Sequence, residues 1–166
     1  MKKSEVLRNL LIQDKLIKLN LGLLEGLIRE VKPDIEESKI VVEVCLEEEE
    51  RQNLLKVLTD FEREFTELIN QSLDYLYDLY EIFNFEITFL SSLPEELERE
   101  IERLDTVNSI NSRLEDIVKL LESVLSMVDW DEKVKVILTP LRIYKDVLEH
   151  AISFNQKLGR NLFYAF

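Results

Sequence analysis

Apolar side chains recur every three or four positions through most of this chain. Leu7, Leu10, Ile17, Leu21, Leu24, Ile28 and Val31 set that spacing from about Lys3 to Val31, with Asp14 off the pattern. Residues so spaced share one face of a helix. Lys32 precedes Pro33, and a residue before proline is pushed away from helical torsions, so the first helix is expected to end there. Pro33 then opens a second helix, with Asp34, Glu36 and Glu37 in the first turn where negative charge meets the positive end of the helix dipole. The spacing resumes at Leu54, Leu58, Phe61, Phe65, Leu68, Ser72, Leu76, Tyr80, Phe83, Ile87 and Leu90, which predicts helix to about Leu90.

Two stretches inside that span also fit a strand. Lys39 to Leu46 reads KIVVEVCL, rich in valine, and Phe83 to Leu90 reads FNFEITFL, with aromatics at every second position. Neither is bounded by the glycine turns that hairpins use, so helix is preferred. The alternative is an α+β chain with short strands near 39–46, 83–90 and 133–138.

Downstream, Ser92 with Glu95 and the intervening Pro94 forms a capping-box pattern. The helix it opens continues through Leu97, Ile101, Leu104, Leu114, Val118, Leu121 and Val128, and Asn108, Ser109, Asn111 and Ser112 predict a polar, exposed or bent middle. Asp129 with Glu132 opens the last segment. There Trp130, Val134, Ile137, Leu141, Tyr144, Leu148, Ala151, Asn155, Leu158 and Leu162 alternate steps of four and three, close to a coiled-coil seam. Pro140 inside it should kink the helix or restart it with Thr139 as cap. Short connections force neighbouring helices to run antiparallel. The expected fold is therefore all-α, an antiparallel bundle of about four long coiled-coil-like helical segments, forming one domain over residues 1–166.

Composition narrows the chemistry. The 166 residues include one histidine, one cysteine and three glycines against 34 acidic and 21 basic side chains. Hydrophobic content of 46% supports a core without disulfide or metal staples. Cys45 has no disulfide partner and lies in an apolar run, which reads as a small buried hydrophobe in a reducing compartment. Asp14, Lys15 and Lys18 interrupt the leucine-rich start, and Glu5, Arg8 and Asp14 break any apolar core behind Lys2 and Lys3, so neither a membrane span nor a signal peptide is expected, and a cytoplasmic location is.

Charge is unevenly laid out. Residues 1–32 carry seven basic and four acidic groups and residues 129–166 six and five, whereas residues 33–90 carry four and sixteen, and residues 91–128 four and nine. Asp60, Glu64, Glu67, Asp74, Asp78 and Glu81 fall every three to seven residues on one side of a helix, extending a run that starts at Glu47 to Glu50. Such a stripe repels nucleic-acid phosphate, so direct nucleic-acid binding is not expected. The preferred reading is that the acidic faces set helix pairing order and solubility; the alternative is that they dock a basic protein partner.

No constellation supports catalysis. Asp146 is one helical turn before His150, but no serine or cysteine is placed as nucleophile and Arg142 lies too far upstream for a helical nuclease pattern. One histidine cannot supply the two Glu-x-x-His pairs of a di-iron bundle. Asp74 with Asp78, then Glu102 with Asp105, are the pairs to inspect for an all-carboxylate magnesium site; among 34 acidic residues such spacings recur by chance. Gly22, Gly26 and Gly159 form no phosphate loop, although Gly22 and Gly26 share a face and would permit close helix approach. No cofactor and no metal are expected.

Two surfaces suit partners. Leu11, Leu16, Leu19, Leu23 and Leu27 lie outside the main stripe of the first helix, which either makes that helix central or leaves a face for a dimer or client. Phe163, Tyr164 and Phe166 close the chain, where three aromatics are costly to leave in water. The expected function is a non-catalytic protein-binding adaptor, assembly factor or acidic chaperone, with self-association left open; the general character resembles that of small acidic helical chaperones. The alternatives are an acidic nucleic-acid mimic that inhibits a nucleic-acid-binding protein, and a carboxylate-magnesium phosphohydrolase.

Overall fold

Four helices make up nearly all of the described residues, and the longest does not stop where a proline says it should. The computed structural model describes residues 3–88, 106–126 and 138–164, with side chains over 11–81, 106–126 and 138–158. Helix α1 spans Lys3–Cys45, α2 Glu48–Thr88, α3 Thr106–Ser126 and α4 Thr139–Tyr164. Among the described residues only Leu46, Glu47 and Leu138 are not helical, so the fold is all-α. The strand alternative fails over 39–45 and 83–88, which are helix; 89–90 and 133–137 lie outside the described residues.

The expected end of the first helix at Lys32 is corrected: α1 runs through Pro33. The missing N–H orphans the carbonyl of Arg29, but Arg29 and Pro33 are both exposed, so that side of the helix is open to water. Val31 and Ile35, each 1% exposed, flank the proline on the core side. Burying two such side chains contributes about 1.5–3 kcal/mol each, enough to offset the roughly 3 kcal/mol that an interior proline costs.

The break comes instead at Leu46 and Glu47, where no glycine or proline marks it. Leu46 turns into the core, its amide still bonding the Val42 carbonyl at 3.2 Å. Glu48, Glu49 and Glu50 then occupy the first turn of α2, where the helix dipole favours carboxylates. Arg51 reaches back with Nη2 3.4 Å from the Leu46 carbonyl, closing the end of α1. Cys45 is exposed rather than buried, because Val42 and Leu46 take the core positions on either side of it.

Helix α4 begins at Thr139, and whether Pro140 restarts an earlier helix falls on 127–137, outside the described residues. The Leu138 carbonyl accepts the first bond, from the Arg142 amide at 3.2 Å, so Leu138 rather than Thr139 supplies the capping carbonyl, and Pro140 falls in the first turn where its missing donor costs nothing. The capping patterns at Ser92–Glu95 and Asp129–Glu132, with Trp130, lie outside the described residues.

Neighbouring helices run antiparallel. Lys39 meets Glu62 and Glu25 meets Tyr77 between α1 and α2; Asn20 meets Asn155 and Asp34 meets Tyr144 between α1 and α4; Lys145 meets Glu122 between α4 and α3. Helix α1 touches all three others, which makes it the central helix. Leu16 and Leu27 are accordingly buried and Leu23 half-buried, while Leu11 and Leu19 stay about half exposed. All four helices contribute to one continuous core. Gly22 and Gly26 do not serve helix approach: a Cβ at either would meet nothing within 4 Å.

Candidate functional site

The α2 core stripe, Leu54, Leu58, Phe61, Phe65, Ile69, Leu76 and Leu79, turns the opposite side of that helix to solvent. On it lie Glu64, Glu67, Asp74, Asp78 and Glu81, all exposed, with the half-buried Asp60 in line. Asp60 pairs with Arg63 at 3.7 Å and, off the stripe, Glu62 pairs with Lys39 at 3.4 Å. Among the described residues none of the other five is in an ion pair. The row from Asp60 to Glu81 extends about 32 Å at a helix rise of 1.5 Å per residue.

Asp74 and Asp78 belong to this solvated row and converge on no other carboxylate; no group of three or more histidine, cysteine, aspartate or glutamate side chains that could hold a metal exists among the described residues. Glu102 and Asp105 lie outside them. His150 is exposed, and its Nδ1 lies 2.7 Å from the backbone carbonyl of Asp146 rather than from its carboxylate. That contact is local to one helical turn and orients the ring toward no nucleophile. Helix α4 extends through Phe163 and Tyr164, and Phe166 lies outside the described residues. No described helix is long and apolar enough to cross a membrane.

A buried polar layer forms the second distinctive region. Asn20 Nδ2 donates to Asn155 Oδ1 at 3.0 Å and to the Leu16 carbonyl at 2.8 Å. Asn155 Nδ2 donates back to Asn20 Oδ1 at 3.0 Å and to Asn111 Oδ1 at 2.9 Å, and Asn111 Nδ2 donates to the Ile152 carbonyl at 3.3 Å. All three amides are buried, so the polar middle expected of the third helix turns inward at Asn111 instead of standing exposed. Nearby along α1, Gln13 accepts a hydrogen bond from Thr106 Oγ1 of α3, and both side chains are buried. Both amide hydrogens of Asn20 and of Asn155 are spent inside the protein. The layer therefore locks α1, α3 and α4 in register and offers those donors to no ligand.

Where α4 packs on α1 and α2, the phenol of Tyr144 donates to the Asp34 carboxylate of α1, and its ring lies 6.1 Å from that of Phe65 on α2. Burial first, then this hydrogen bond, push the Tyr144 phenol above the ordinary tyrosine value. Tyr77 likewise donates to Glu25, and that bond raises its pKa. Lys18, 2.8 Å from Asp14, is held charged chiefly by that hydrogen-bonded pair. This is why Asp14, off the apolar spacing, still tolerates a largely buried position.

No protein-family model matches the chain, and no solved structure matches it. An uncharacterized protein of Aquifex aeolicus (strain VF5) is 42% identical over 157 residues, which are 94% of this chain and 94% of that one. Identity of this extent over nearly the whole of both chains places this helical bundle in the same family as that Aquifex aeolicus protein.

Proposed function

We propose that the chain is a cytoplasmic, non-catalytic protein-binding adaptor, assembly factor or acidic chaperone that receives a basic partner along α2. The observation that carries this reading is the row of five exposed carboxylates, Glu64, Glu67, Asp74, Asp78 and Glu81, on the face opposite the core stripe. Unpaired surface carboxylates on a rigid helix attract a basic segment over distances set by ionic screening, which favours fast and selective encounter. Carboxylates in the row follow one another about every 6 Å on average, sparser than the one charge per ~3.4 Å on a DNA strand, so it supports a protein ligand better than phosphate mimicry.

Affinity capture from the native cell tests the reading, with the wild-type chain beside a variant carrying Gln at the five positions. A specific protein retained by wild type at moderate salt and lost with the variant is the expected result. Capture that ignores the five substitutions would reject the α2 face as the docking surface. Deleting residues 161–166 in parallel asks whether Phe163, Tyr164 and Phe166 join that contact; unchanged capture removes them from it.

A further inference from the structure

We propose that two copies of this chain associate through the outer face of α4, packed antiparallel about a two-fold axis. The face carries a second apolar stripe, separate from the core stripe of Leu141, Tyr144 and Leu148. Ile143 is 55% exposed, Val147 39% and Phe154 52%, and His150 between them is exposed. Their steps of four, three and four residues are those of a coiled-coil seam. Large apolar side chains left repeatedly on one line of a helix mark an interaction surface more than scattered ones do.

Neighbouring α1 widens the same face. Asn20 bonds Asn155 across the two antiparallel helices, and Leu19 and Phe154 each come one residue earlier. One step back along two antiparallel helices turns both side chains to the same side of the pair. Leu19, 47% exposed, thus stands beside Phe154.

Two observations select a second copy as the occupant. The first is symmetry: four-three-four reads the same in both directions, so an antiparallel copy sets Ile143 against Phe154 and Val147 against His150, the self-complementary match that a two-fold interface requires. The second is charge. Two chains of net −13 repel each other, and the repulsion is centred on α2, whose residues 48–88 carry eleven acidic and three basic groups. Helix α4 carries four basic and two acidic groups over 139–164, a positive balance unique among the four helices, and it meets α2 across the core. Approach through α4 therefore keeps the acidic faces apart. A seam of four side chains and Leu19 is well short of the ~20–30 residues a side in a standard interface, so the dimer is weak, with a dissociation constant on the order of micromolar or higher.

Sedimentation equilibrium from about 1 to about 500 µM protein should show the mass rising from 19.7 kDa toward twice that value. Raising sodium chloride to about 0.5 M should strengthen association, because screening removes the repulsion between two acidic chains; a basic partner on α2 would respond in the opposite direction. Val147→Glu with Phe154→Glu, both at solvent-facing positions, should leave helicity and melting temperature unchanged and abolish the mass rise. On a Cys45→Ser background, a mixture of Ile143→Cys and Phe154→Cys chains should form a disulfide-linked pair of the two, and neither alone should do so. A chain that stays monomeric throughout, at either salt, overturns the proposal and leaves the face to a partner of another sequence. Crosslinking of Ile143→Cys to itself overturns the antiparallel pairing.

Discussion

The α1–α2 hairpin and the layer where α1, α3 and α4 meet solve the same packing problem with opposite chemistry. In the hairpin, Val42, Leu54, Leu58, Phe61 and Phe65 fill the interface with side chains no more than 1% exposed, and Phe61 and Phe65 tilt against each other at 5.1 Å between centroids. In the layer, three buried asparagines exchange hydrogen bonds. Apolar contacts are strong but tolerate sliding by a helical turn, whereas paired amides work only in one alignment. One region supplies stability and the other alignment.

The largest effect belongs to the hairpin. Phe65→Ala removes a fully buried ring that touches both Phe61 and Tyr144, and should lower unfolding free energy by about 3–5 kcal/mol in a urea titration. Equality with the asparagine substitutions would erase the contrast. In the layer, Asn155→Ala strands partners on two helices and should cost about 1–3 kcal/mol. Replacing Asn20, Asn111 and Asn155 together by leucine should cost less than Asn155→Ala alone, since no polar group is left unpaired, while broadening the amide resonances in NMR spectra as alternative alignments become populated. Sharp, dispersed spectra from the triple variant would show that the amides do not set register.

Tyr144 joins the two chemistries, packing on Phe65 and donating to Asp34. Tyr144→Phe should cost about 1–2 kcal/mol at neutral pH. Because the folded-state pKa is raised, the phenol's contribution is complete below its unfolded value near 10 and is lost as pH climbs through the folded value. Urea midpoints of wild type and variant should thus converge above about pH 10, and a constant gap would mean that the hydroxyl is not the source. The smallest effects have the opposite sign. Gly22→Ala and Gly26→Ala, at open positions on α1, should each stabilise by about 0.5–1 kcal/mol, visible as a higher melting temperature.

Helical spacing made the apolar core legible in the sequence: Ile17, Leu24, Val31, Phe65, Leu114 and Leu148, all assigned to stripes, are buried to 1% or less. Punctuation was less reliable. Pro33 carries a strong local preference, yet burial of Val31 and Ile35 overrides it; the true break at Leu46 and Glu47 is made by tertiary packing and by charge, which leave no glycine as a signpost. The polar layer was half visible. Asn155 falls on the seam, and a polar residue on a seam is a recognised register signal, but Asn20 and Asn111 declare themselves only when their partners from distant parts of the chain are known. The carboxylates of α2 were legible as a row because a helix of known phase fixes their direction. Cys45 is exposed against expectation because an apolar neighbourhood in sequence does not say which member of the run faces out.

Helix α1 continues for 43 residues, which makes it a strut about 64 Å long. At physiological ionic strength the field of a surface charge fades within ~8 Å, so the strut is several screening lengths from end to end. Lys15 and Lys18 near its beginning and the Glu47–Glu50 run just past its end are thus electrically deaf to each other. Any message between the two ends has to travel mechanically, as bending or rotation of the strut, and Pro33, which interrupts the hydrogen-bond ladder within its span, is the point at which such a movement would be most easily accommodated.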